Sequence, residues 1–501
     1  MRSSRDGRRP PRLLIAILGF TAITVPLVTL SPTSATASTP GSASPFLQNA
    51  VTGHGGAGWQ VSLSDPAITS TGSPQIARSG SVACPSTSVC YLVGDDDSGS
   101  GYVVTTTDSG STWNPLILPL GTDSLSGIAC PPPSTSSCYV TGSENSGAFI
   151  LATTNSGDTW SNVSVPTGLV SVSGIACPSL TTCYLIGYDP AESDPEGGSV
   201  IADTTDSGSS WNILTIPADF GPTGPIACAT TDTCYAVGND GDPNQDFVLA
   251  TTDSGAMWVQ QGTPPDTSGI FGSAIACPSA TNCYLSAYVS EYRFNGFKIF
   301  STSDSGNTWI PQSLPNNTGA LSAIACPSTS ECFGAGTTSV DGGADPGVGD
   351  IVVTTDSGGH WSGQIIPTGT SFLSSAVCPS VTVCFAQASA IGTRGAVVLK
   401  GAVLNIATAS LPDGTIGAPY LATLTATGGD PPYHWRMAPG SPTLPKGLRL
   451  GTKSGSISGK PSKTSSSSTF TVEVQDTKSK TSPPVLNTAT TTLTITLDPT
   501  T

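Results

Sequence analysis

The chain has 501 residues and a formal net charge of −16, and only 10% of its residues are charged and 6% are aromatic, whereas it contains 57 Gly, 42 Pro and 14 Cys. This composition argues against a charged helical bundle and favours β-strands joined by turns. The acidic excess also excludes nucleic acid as an expected partner, because the phosphates would be repelled rather than neutralised.

The N-terminus is typical of a secretory signal. Arginines precede an apolar run over 13–30, and Ala35-Thr36-Ala37 supplies the small residues of a cleavage site. We expect residues 1–37 to be a signal peptide and 38–54 a linker, with an uncleaved N-terminal anchor as the alternative. No later stretch approaches the ~20 apolar residues that a spanning helix needs. The mature chain is therefore expected to be secreted, either released or held at the cell surface.

Cysteines recur as regular pairs along the next part of the chain. Successive pairs begin 46 to 52 residues apart, and six of the seven have five residues between the two cysteines. The pairs are Cys84/Cys90, Cys130/Cys138, Cys177/Cys183, Cys228/Cys234, Cys277/Cys283, Cys326/Cys332 and Cys378/Cys384. A unit repeated with this period predicts a propeller or an array over residues 55–401.

Each cysteine pair is predicted to close a β-hairpin, with one cysteine at each rim of its turn. Apolar stretches such as Ser322–Cys326 lead through turn residues into a second apolar strand. Cysteines that face each other across a hairpin lie near the separation that a disulfide requires. Zinc is the alternative, but the spacing is not that of a zinc knuckle and the chain has only three His. Even pairing in an exported protein therefore predicts seven disulfides.

A second phrase, of the type TTDSGSTW, occurs six times in register with the cysteines. Its acidic position holds Asp108, Asn155, Asp206, Asp253, Asp304 and Asp356, and its last position holds Trp113, Trp160, Trp211, Trp258, Trp309 and Trp361. The phrase resembles the Asp-box, or BNR, repeat of sialidase-like propellers. The acidic side chain can bond turn N–H groups, the glycine can adopt positive φ, and the tryptophan can pack from the following strand. Because Asn155 replaces Asp in one copy, we expect a structural role rather than acid–base catalysis.

The chain has seven cysteine hairpins but six complete phrases. Trp59 follows a glycine-rich stretch near the start, and the last unit, from Cys378, ends without a phrase of its own. We therefore predict an all-β fold in which the N-terminal strand around Trp59 completes the last blade of a seven-bladed propeller. Closing the ring in this way leaves no free sheet edge.

With the strands of each blade named a to d, length varies mainly in the b–c loops. Most of these loops are acidic, and residues 38–401 hold 5 basic and 28 acidic residues, a charge of about −23. Variable loops on a rigid scaffold are usual binding sites. Aromatic residues cluster with an arginine in the fifth loop, where they predict a contact for a sugar or a protein, unless they pack onto their own blade. The candidate binding residues are Asp95, Asp97, Asp189, Glu192, Asp194, Tyr292, Arg293, Phe294 and Arg394.

One b–c loop has the alternating oxygen groups of a calcium site. These are Asp240, Asp242, Asn244 and Asp246, but no bidentate Glu follows at the twelfth position. Calcium is the one candidate cofactor, and a solvated acidic loop is the alternative.

The propeller repeat resembles both sialidases and the photosystem-assembly-factor-like proteins. Sialidases need three arginines around a carboxylate, whereas Arg78, Arg293 and Arg394 occupy different places in their units. Xyloglucanase-type glycosidases use two facing propellers, and one is predicted here. The resemblance therefore implies a monomeric, non-catalytic protein that binds or adheres to an extracellular glycan or protein. A secreted glycosidase with loop carboxylates and a structural envelope protein are the alternatives.

The charge reverses after Gly401, where residues 402–501 hold 8 basic and 5 acidic residues and no cysteine. Leu444-Pro445, Gly447-Leu448 and Ile457-Ser458-Gly459 resemble the cadherin-like Ig module of bacterial surface proteins, which implies a spacer or an adhesive unit. The alternating stretches TFTVEV and TTLTITL predict strands of an Ig-like β-sandwich. A Ser-rich loop is predicted over 462–469.

Overall fold

The computed structural model describes residues 59–64, 80–95, 99–144, 147–190, 198–217, 221–239, 246–262, 270–291, 294–338, 348–364, 366–390, 396–401, 404–428, 432–462, 467–476 and 488–498. The predicted signal peptide and linker lie outside these ranges. Every regular element within them is a β-strand. The described ranges contain no helix that is long and apolar enough to span a membrane.

The described residues from Trp59 to Gly401 form seven four-stranded sheets, which are the blades of a propeller. The first strand is β1 (Trp59–Ser64). Blade 1 has β2 (Gly80–Ala83), β3 (Cys90–Asp95), β4 (Gly101–Thr106) and β5 (Asn114–Leu116). Blade 2 has β6 (Leu125–Ala129), β7 (Cys138–Glu144), β8 (Gly147–Thr153) and β9 (Ser161–Val163). Blade 3 has β10 (Ser171–Ala176), β11 (Cys183–Asp189), β12 (Gly198–Thr204) and β13 (Asn212–Ile213). Blade 4 has β14 (Gly221–Cys228), β15 (Cys234–Asn239), β16 (Asp246–Thr251) and β17 (Val259–Gln260).

The remaining three blades follow the same pattern along the chain. Blade 5 has β18 (Ile270–Ala276), β19 (Cys283–Glu291), β20 (Phe294–Thr302) and β21 (Ile310–Pro311). Blade 6 has β22 (Thr318–Ala325), β23 (Cys332–Thr338), β24 (Gly349–Thr354) and β25 (Ser362–Gly363). Blade 7 has β26 (Thr370–Ser380), β27 (Val383–Ala390) and β28 (Ala396–Gly401), with β1 as its outer strand.

The two ends of the propeller sequence meet in blade 7. β1 pairs antiparallel with β28, from Trp59 opposite Gly401 to Ser64 opposite Val397. Trp59 is 2% exposed, and its ring packs edge to face on Phe333 of blade 6 at 6.4 Å between ring centres. The prediction that the strand around Trp59 completes the last blade is confirmed.

The cysteine hairpin of blade 7 departs from the predicted pattern. β26 continues past Cys378 to Ser380, and β27 begins at Val383, so Cys384 is the second residue of its strand and does not lie at the rim of the turn. Ser380 pairs with Val383 instead. The stretch between these two cysteines contains two valines, whose branched side chains favour strand over turn. The predicted rim position of Cys384 was therefore wrong, although its disulfide with Cys378 is confirmed.

The core lies between neighbouring blades. The b strands are buried on both faces, so that Tyr91, Leu92 and Val93 of β3 have no exposed surface. Alternate residues point to opposite neighbours: Tyr91 and Val93 pack with blade 2, and Leu92 packs with blade 7. Continuous apolar runs after each second cysteine therefore reflect burial on both faces of the sheet.

The outer d strands are the exposed edges of the blades, so the expectation that closing the ring leaves no free sheet edge was wrong: each blade is a separate sheet with an outer strand. In blades 1 to 6 they are two or three residues long, and two of them carry a proline, Pro115 and Pro311. Very short edge strands and prolines that lack an N–H both discourage pairing with another chain. The outer edges of blades 1 to 6 are thus protected against strand addition.

The C-terminal residues form a separate β-sandwich. Its strands are β29 (Asn405–Ile406), β30 (Gly414–Thr415), β31 (Tyr420–Thr423), β32 (Ala426–Thr427), β33 (His434–Met437), β34 (Leu448–Leu450), β35 (Ser456–Gly459), β36 (Ser467–Gln475) and β37 (Thr488–Asp498). The sheet order β30-β37-β36-β33 faces the order β31-β35-β34 across a core that includes Trp435, Ile457 and Phe470.

The predicted Ser-rich loop is shorter than expected. β36 begins at Ser467, so Ser467 to Thr469 are strand residues and not loop. Alternate hydroxyl side chains of this stretch lie on the outer face, where Thr469 and Thr494 hydrogen bond across the strands at 2.9 Å. The prediction failed there because Ser and Thr are common both in loops and on the solvated face of a strand.

Candidate functional site

The a–b turns are closed by the seven predicted disulfides, and every one of the 14 cysteines takes part in one. The paired Cα atoms lie 4.0–4.1 Å apart. The second cysteine of each pair belongs to the b strand and has no exposed surface. These second cysteines are Cys90, Cys138, Cys183, Cys234, Cys283, Cys332 and Cys384. The cysteines are therefore structural, and none is available as a zinc ligand.

Cys384 differs from the other second cysteines in its neighbour on the c strand. It lies opposite Gly401, whereas in the other blades the second cysteine lies opposite a threonine, as Cys90 lies opposite Thr106. That threonine opens the repeated phrase, which blade 7 lacks. Cys384 packs instead in the core cluster that contains Trp59 of the closing strand.

The c–d turns lie beside the disulfides and are held by a small set of side-chain bonds. In the turn over 106–113, the Thr106 hydroxyl donates to Asp108 Oδ1 at 2.8 Å and accepts from the Gly110 N–H at 2.8 Å. Thr112 donates its N–H to Asp108 Oδ1 at 2.8 Å and its hydroxyl to Oδ2 at 2.6 Å. The bonds from Thr112, followed by the bond from Thr106, lower the pKa of Asp108 to about 2. We call this turn and its five equivalents the Thr–Asp turns.

The amide in the second Thr–Asp turn makes nearly the same contacts. Asn155 Oδ1 accepts from the Thr153 hydroxyl and from the Thr159 N–H, each at 3.0 Å. Its Nδ2 donates to the Thr159 hydroxyl at 2.9 Å. An uncharged side chain thus fulfils the same task, which agrees with a structural role for this position.

Two successive residues of each turn have positive φ. In the first turn φ is 60° at Ser109 and 80° at Gly110, whereas the sequence predicts a left-handed conformation only at the glycine. The same conformation occurs at Ser156, Ser207, Ser254, Ser305 and Ser357. In the first turn, this conformation directs the Ser109 N–H to the Ser88 carbonyl, at 3.0 Å. The hydrogen bond connects the Thr–Asp turn to the disulfide turn of the same blade.

The tryptophan that ends each Thr–Asp turn packs on the preceding blade. Its partner is the aromatic residue directly after the second cysteine there, in an edge-to-face arrangement. The described pairs are Trp113 with Phe385 at 6.2 Å, Trp258 with Tyr184 at 6.3 Å and Trp361 with Tyr284 at 6.2 Å. Sequence reasoning missed these partners, although an aromatic residue follows every second cysteine. This face of the propeller is therefore occupied by contacts that join the blades.

The opposite face is built from the b–c and d–a loops, and two of its predicted binding acids are held within the protein. Asp95 accepts the Leu125 N–H at 2.6 Å and the Ser124 hydroxyl at 2.7 Å, which anchors the start of blade 2. Asp189 is only 6% exposed, and its carboxylate lies against Gly168. These two carboxylates therefore have partners or close packing within the protein, and their predicted role in binding stays a prediction.

The other predicted residues of this face are mainly outside the described part. These are Asp97, Glu192, Asp194, Tyr292, Arg293 and Arg394, together with the calcium candidates Asp240, Asp242 and Asn244. Phe294 begins β20 opposite Glu291, and Asp246 begins β16 opposite Asn239. Within the described ranges, no group of three or more His, Cys, Asp or Glu is placed to hold a metal ion.

A groove opens between blades 5 and 6 on the face of the b–c loops. Tyr288 and Phe297 lie opposite each other near the end of the β19–β20 hairpin, with ring centres 5.2 Å apart in an edge-to-face pair. The groove has a volume of about 560 Å³. Its walls include Tyr288, Phe297, Pro311, Pro315, Asn316 and Thr318. We call it the blade 5–6 groove, and its volume lies within the range of small-molecule sites.

A half-buried carboxyl lies next to one wall of this groove. Asp350 of β24 stands beside Thr318, and burial raises its pKa to about 6. The Thr318 hydroxyl and the Ile351 N–H act in the opposite direction. With a pKa of about 6, Asp350 is expected to lose its proton in mildly acidic solution, close to a concave aromatic surface.

Known structures resemble this chain at low identity. A YCF48 structure bound to a D1 peptide is 16% identical over 69% of this chain and 97% of its own, with a TM-score of 0.48. YCF48 from Cyanidioschyzon merolae is 16% identical over 69% of this chain and 99% of its own, with a TM-score of 0.48. A GH74 xyloglucanase from Xanthomonas campestris is 13% identical over 68% of this chain and 55% of its own, with a TM-score of 0.47.

Sequence comparison is informative for the C-terminal domain. No curated protein matches the chain. Residues 402–498 match the family described as Putative Ig domain. The sandwich of β29 to β37 is therefore an Ig-like domain.

Proposed function

We propose that the protein is a secreted, non-catalytic binding or adhesion protein that contacts an extracellular glycan or protein through the face of its b–c loops. The observation that carries this proposal is the Tyr288–Phe297 pair in the wall of the blade 5–6 groove. Aromatic side chains in a concave site on a rigid scaffold are typical of binding contacts. Tyr292, Arg293 and Phe294 belong to the same hairpin sequence, and we propose them as further contacts.

Other features support the same proposal. Seven disulfides favour an oxidising compartment and hence export, which agrees with residues 1–37 as a signal peptide and 38–54 as a linker. The geometry of the Thr–Asp turns supports assigning them as Asp-box repeats of a propeller over 55–401. The Ig-like domain over 402–501 would then act as a spacer or an adhesive unit on a monomer. We propose separately that Asp240, Asp242, Asn244 and Asp246 bind calcium, and the binding function does not depend on this site.

One observation favours a glycosidase as the second candidate. A carboxyl whose pKa is raised by burial, as that of Asp350 is, can serve as a general acid. Glycosidases need two carboxyl groups on either side of the bond that they cleave. Burial raises the pKa of Asp350 against the opposing effect of its hydrogen bonds, and no carboxylate of the described residues is among the causes. Among the described residues, Asp350 is therefore a candidate for one of the two carboxyl groups that this alternative requires.

Thermal melts of the chain from residue 38, with its disulfides intact, test this function. A ligand that binds the folded state raises the Tm by mass action. The panel contains soluble plant, fungal and bacterial polysaccharides and extracellular proteins, and each binder is repeated with Tyr288→Ala. Tyr188→Ala is the matched control, because Tyr188 occupies the same strand position in blade 3 opposite Ser199 instead of an aromatic ring.

We expect a Tm rise that Tyr288→Ala removes and Tyr188→Ala retains. A rise that both variants retain, or no rise across the panel, would contradict the binding proposal. Release of reducing ends from a bound glycan, with loss of that release in Asp350→Asn, would establish the hydrolase instead.

A further inference from the structure

A second hollow continues the blade 5–6 groove around the rim. It has a volume of about 420 Å³ and lies beside the disulfide and Thr–Asp turns, with Tyr284, Ser303, Ile310 and Ser357 among its walls. Both hollows include Pro311 and Gln312, at the end of the edge strand β21. The junction between blades 5 and 6 is therefore concave on both sides of this strand.

The lining of both hollows is mainly uncharged. It consists of hydroxyl, amide, aromatic and apolar groups, and among the lining residues only Lys298 is charged. The surrounding propeller sequence carries a charge of about −23, which repels an acidic ligand. In the groove itself, Lys298 in the lining and the Asp350 carboxylate beside Thr318 have opposite charges, so together they give no net preference for a charged ligand. The ligand that meets the least electrostatic penalty at this junction is uncharged.

The backbone of β21 is a poor partner for a peptide. Pro311 has no N–H, and the Gln312 N–H already donates to the Ile299 carbonyl at 2.8 Å. The Gln312 side-chain amide donates to the Ser301 hydroxyl at 2.7 Å and to the Ile310 carbonyl at 3.1 Å. A peptide that adds to a sheet edge depends on free backbone donors and acceptors. Recognition at this junction must therefore come from side chains.

We propose that the blade 5–6 junction binds an uncharged oligosaccharide chain that crosses the rim, from the Tyr288–Phe297 pair over Pro311 to the hollow beside Ser303. Sugar rings offer apolar C–H faces to aromatic side chains, which the groove supplies, and hydroxyls to Asn, Ser and Thr, which both linings supply. The two hollows give the chain an extended site rather than a pocket for a single sugar. This inference rests on the proposed binding function and narrows it to one ligand class and one path.

Calorimetric titration tests the path with defined probes. Cellohexaose, xylohexaose, mannohexaose and maltohexaose are titrated into the intact protein together with their trimers, and hexagalacturonic acid is the acidic comparison. Ser303→Trp fills the second hollow at an exposed position, and Thr205→Trp places the same ring at the equivalent exposed position of blade 3. The thermal melt of each variant checks that it is folded.

We expect one neutral hexamer to bind at least about tenfold more tightly than its trimer, a difference of about 1.4 kcal/mol. Ser303→Trp should reduce the affinity for the hexamer to that for the trimer, and Thr205→Trp should leave it unchanged. Equal binding of the hexamer by Ser303→Trp, preference for hexagalacturonic acid, or binding of no neutral hexamer would overturn the inference. A protein ligand lost in Tyr288→Ala would still support the proposed function, whereas retention of every ligand by Tyr288→Ala would contradict both.

Discussion

Among single residues, the glycine of each Thr–Asp turn combines two constraints. Gly157 has a φ of 87°, and a Cβ atom there would collide with the Leu116 side chain of blade 1. The residue therefore permits both the local conformation of the turn and the close approach of the Leu116 side chain from the preceding blade. Such a double constraint separates glycines that join the blades from glycines that only permit a turn.

We predict that Gly157→Ala lowers the free energy of unfolding by about 2–4 kcal/mol, since backbone strain and overpacking both contribute. Gly121→Ala is the control: its φ is 83°, but no atom lies near its Cβ position. That variant should lose only about 1 kcal/mol. Unfolding in guanidinium chloride measures both values, and equal losses would show that the contact with blade 1 is unimportant.

Asp350 leads to a prediction about pH. Its pKa in the folded state is about 6, above its usual value of 3.8, so the folded state holds the proton more tightly than the unfolded state does. Stability from this group is fully present below pH 3.8 and is lost as the pH rises through about 6, by at most about 3 kcal/mol. Asp350→Asn should therefore have a higher Tm than the parent at pH 8, with little difference at pH 3.5.

Melts across this pH range are compared with those of Asp158→Asn, which removes one negative charge from an exposed position. A similar gain at pH 8 in that control would attribute the effect to the overall negative charge. A gain for Asp350→Asn that is the same at both pH values would contradict the raised pKa.

Among the strands, β1 closes the ring without a covalent bond. It covers the edge of β28 and brings Trp59 into the core against Phe333. We predict that deletion of residues 1–64 lowers the free energy of unfolding by more than about 3 kcal/mol, because a buried tryptophan is lost. The exposed edge of β28 should also promote association between chains.

Light scattering after size-exclusion chromatography measures this association. The control chain begins at residue 55 and retains β1. A chain without β1 that stays monomeric and unfolds at the same denaturant concentration as the control would contradict the role of β1 in closing the ring.

The strands were easier to predict from sequence than their contacts. Cysteine spacing and the position of Trp59 are local patterns, so they predict the hairpins and the closing strand correctly. Spacing alone does not place the end of each strand. The position of Cys384, one residue inside its strand, was therefore not predicted. The aromatic partners of the tryptophans lie in another blade, and their identity depends on how the blades are stacked.

The contacts of the b–c loop face also could not be predicted from the sequence. Asp95 belongs to an acidic loop, yet its bonds to residues 124 and 125 depend on a chain turn that composition does not reveal. Similarly, the sequence marks Tyr288 and Phe297 as aromatic, but Pro311 and Pro315 complete the groove only in the fold. A site whose residues come from two blades thus cannot be predicted from the sequence of any single loop.

The seven disulfides are distributed evenly around the propeller, one in each blade. Each one closes a short loop, with a sequence separation of 6 or 8. In the chain-entropy description, a loop of this size contributes about 2 kcal/mol. Seven such contributions are comparable with the whole stability of an ordinary domain, about 5–15 kcal/mol. The propeller should therefore depend on its disulfides as a set.

We predict that the fully reduced propeller does not keep its fold at 37 °C. The second cysteine of every pair is inaccessible in the folded state, and the first is buried or half-buried, so a reductant reaches each folded disulfide only through the first sulfur and should act faster on unfolded or partly open molecules. Circular dichroism in guanidinium chloride with a phosphine reductant, and without it as the control, measures the effect, while thiol titration follows the number of reduced cysteines. We expect thiols to appear together with unfolding, at a much lower denaturant concentration than in the control. Complete reduction with an unchanged unfolding midpoint would mean that packing between the blades holds the ring on its own.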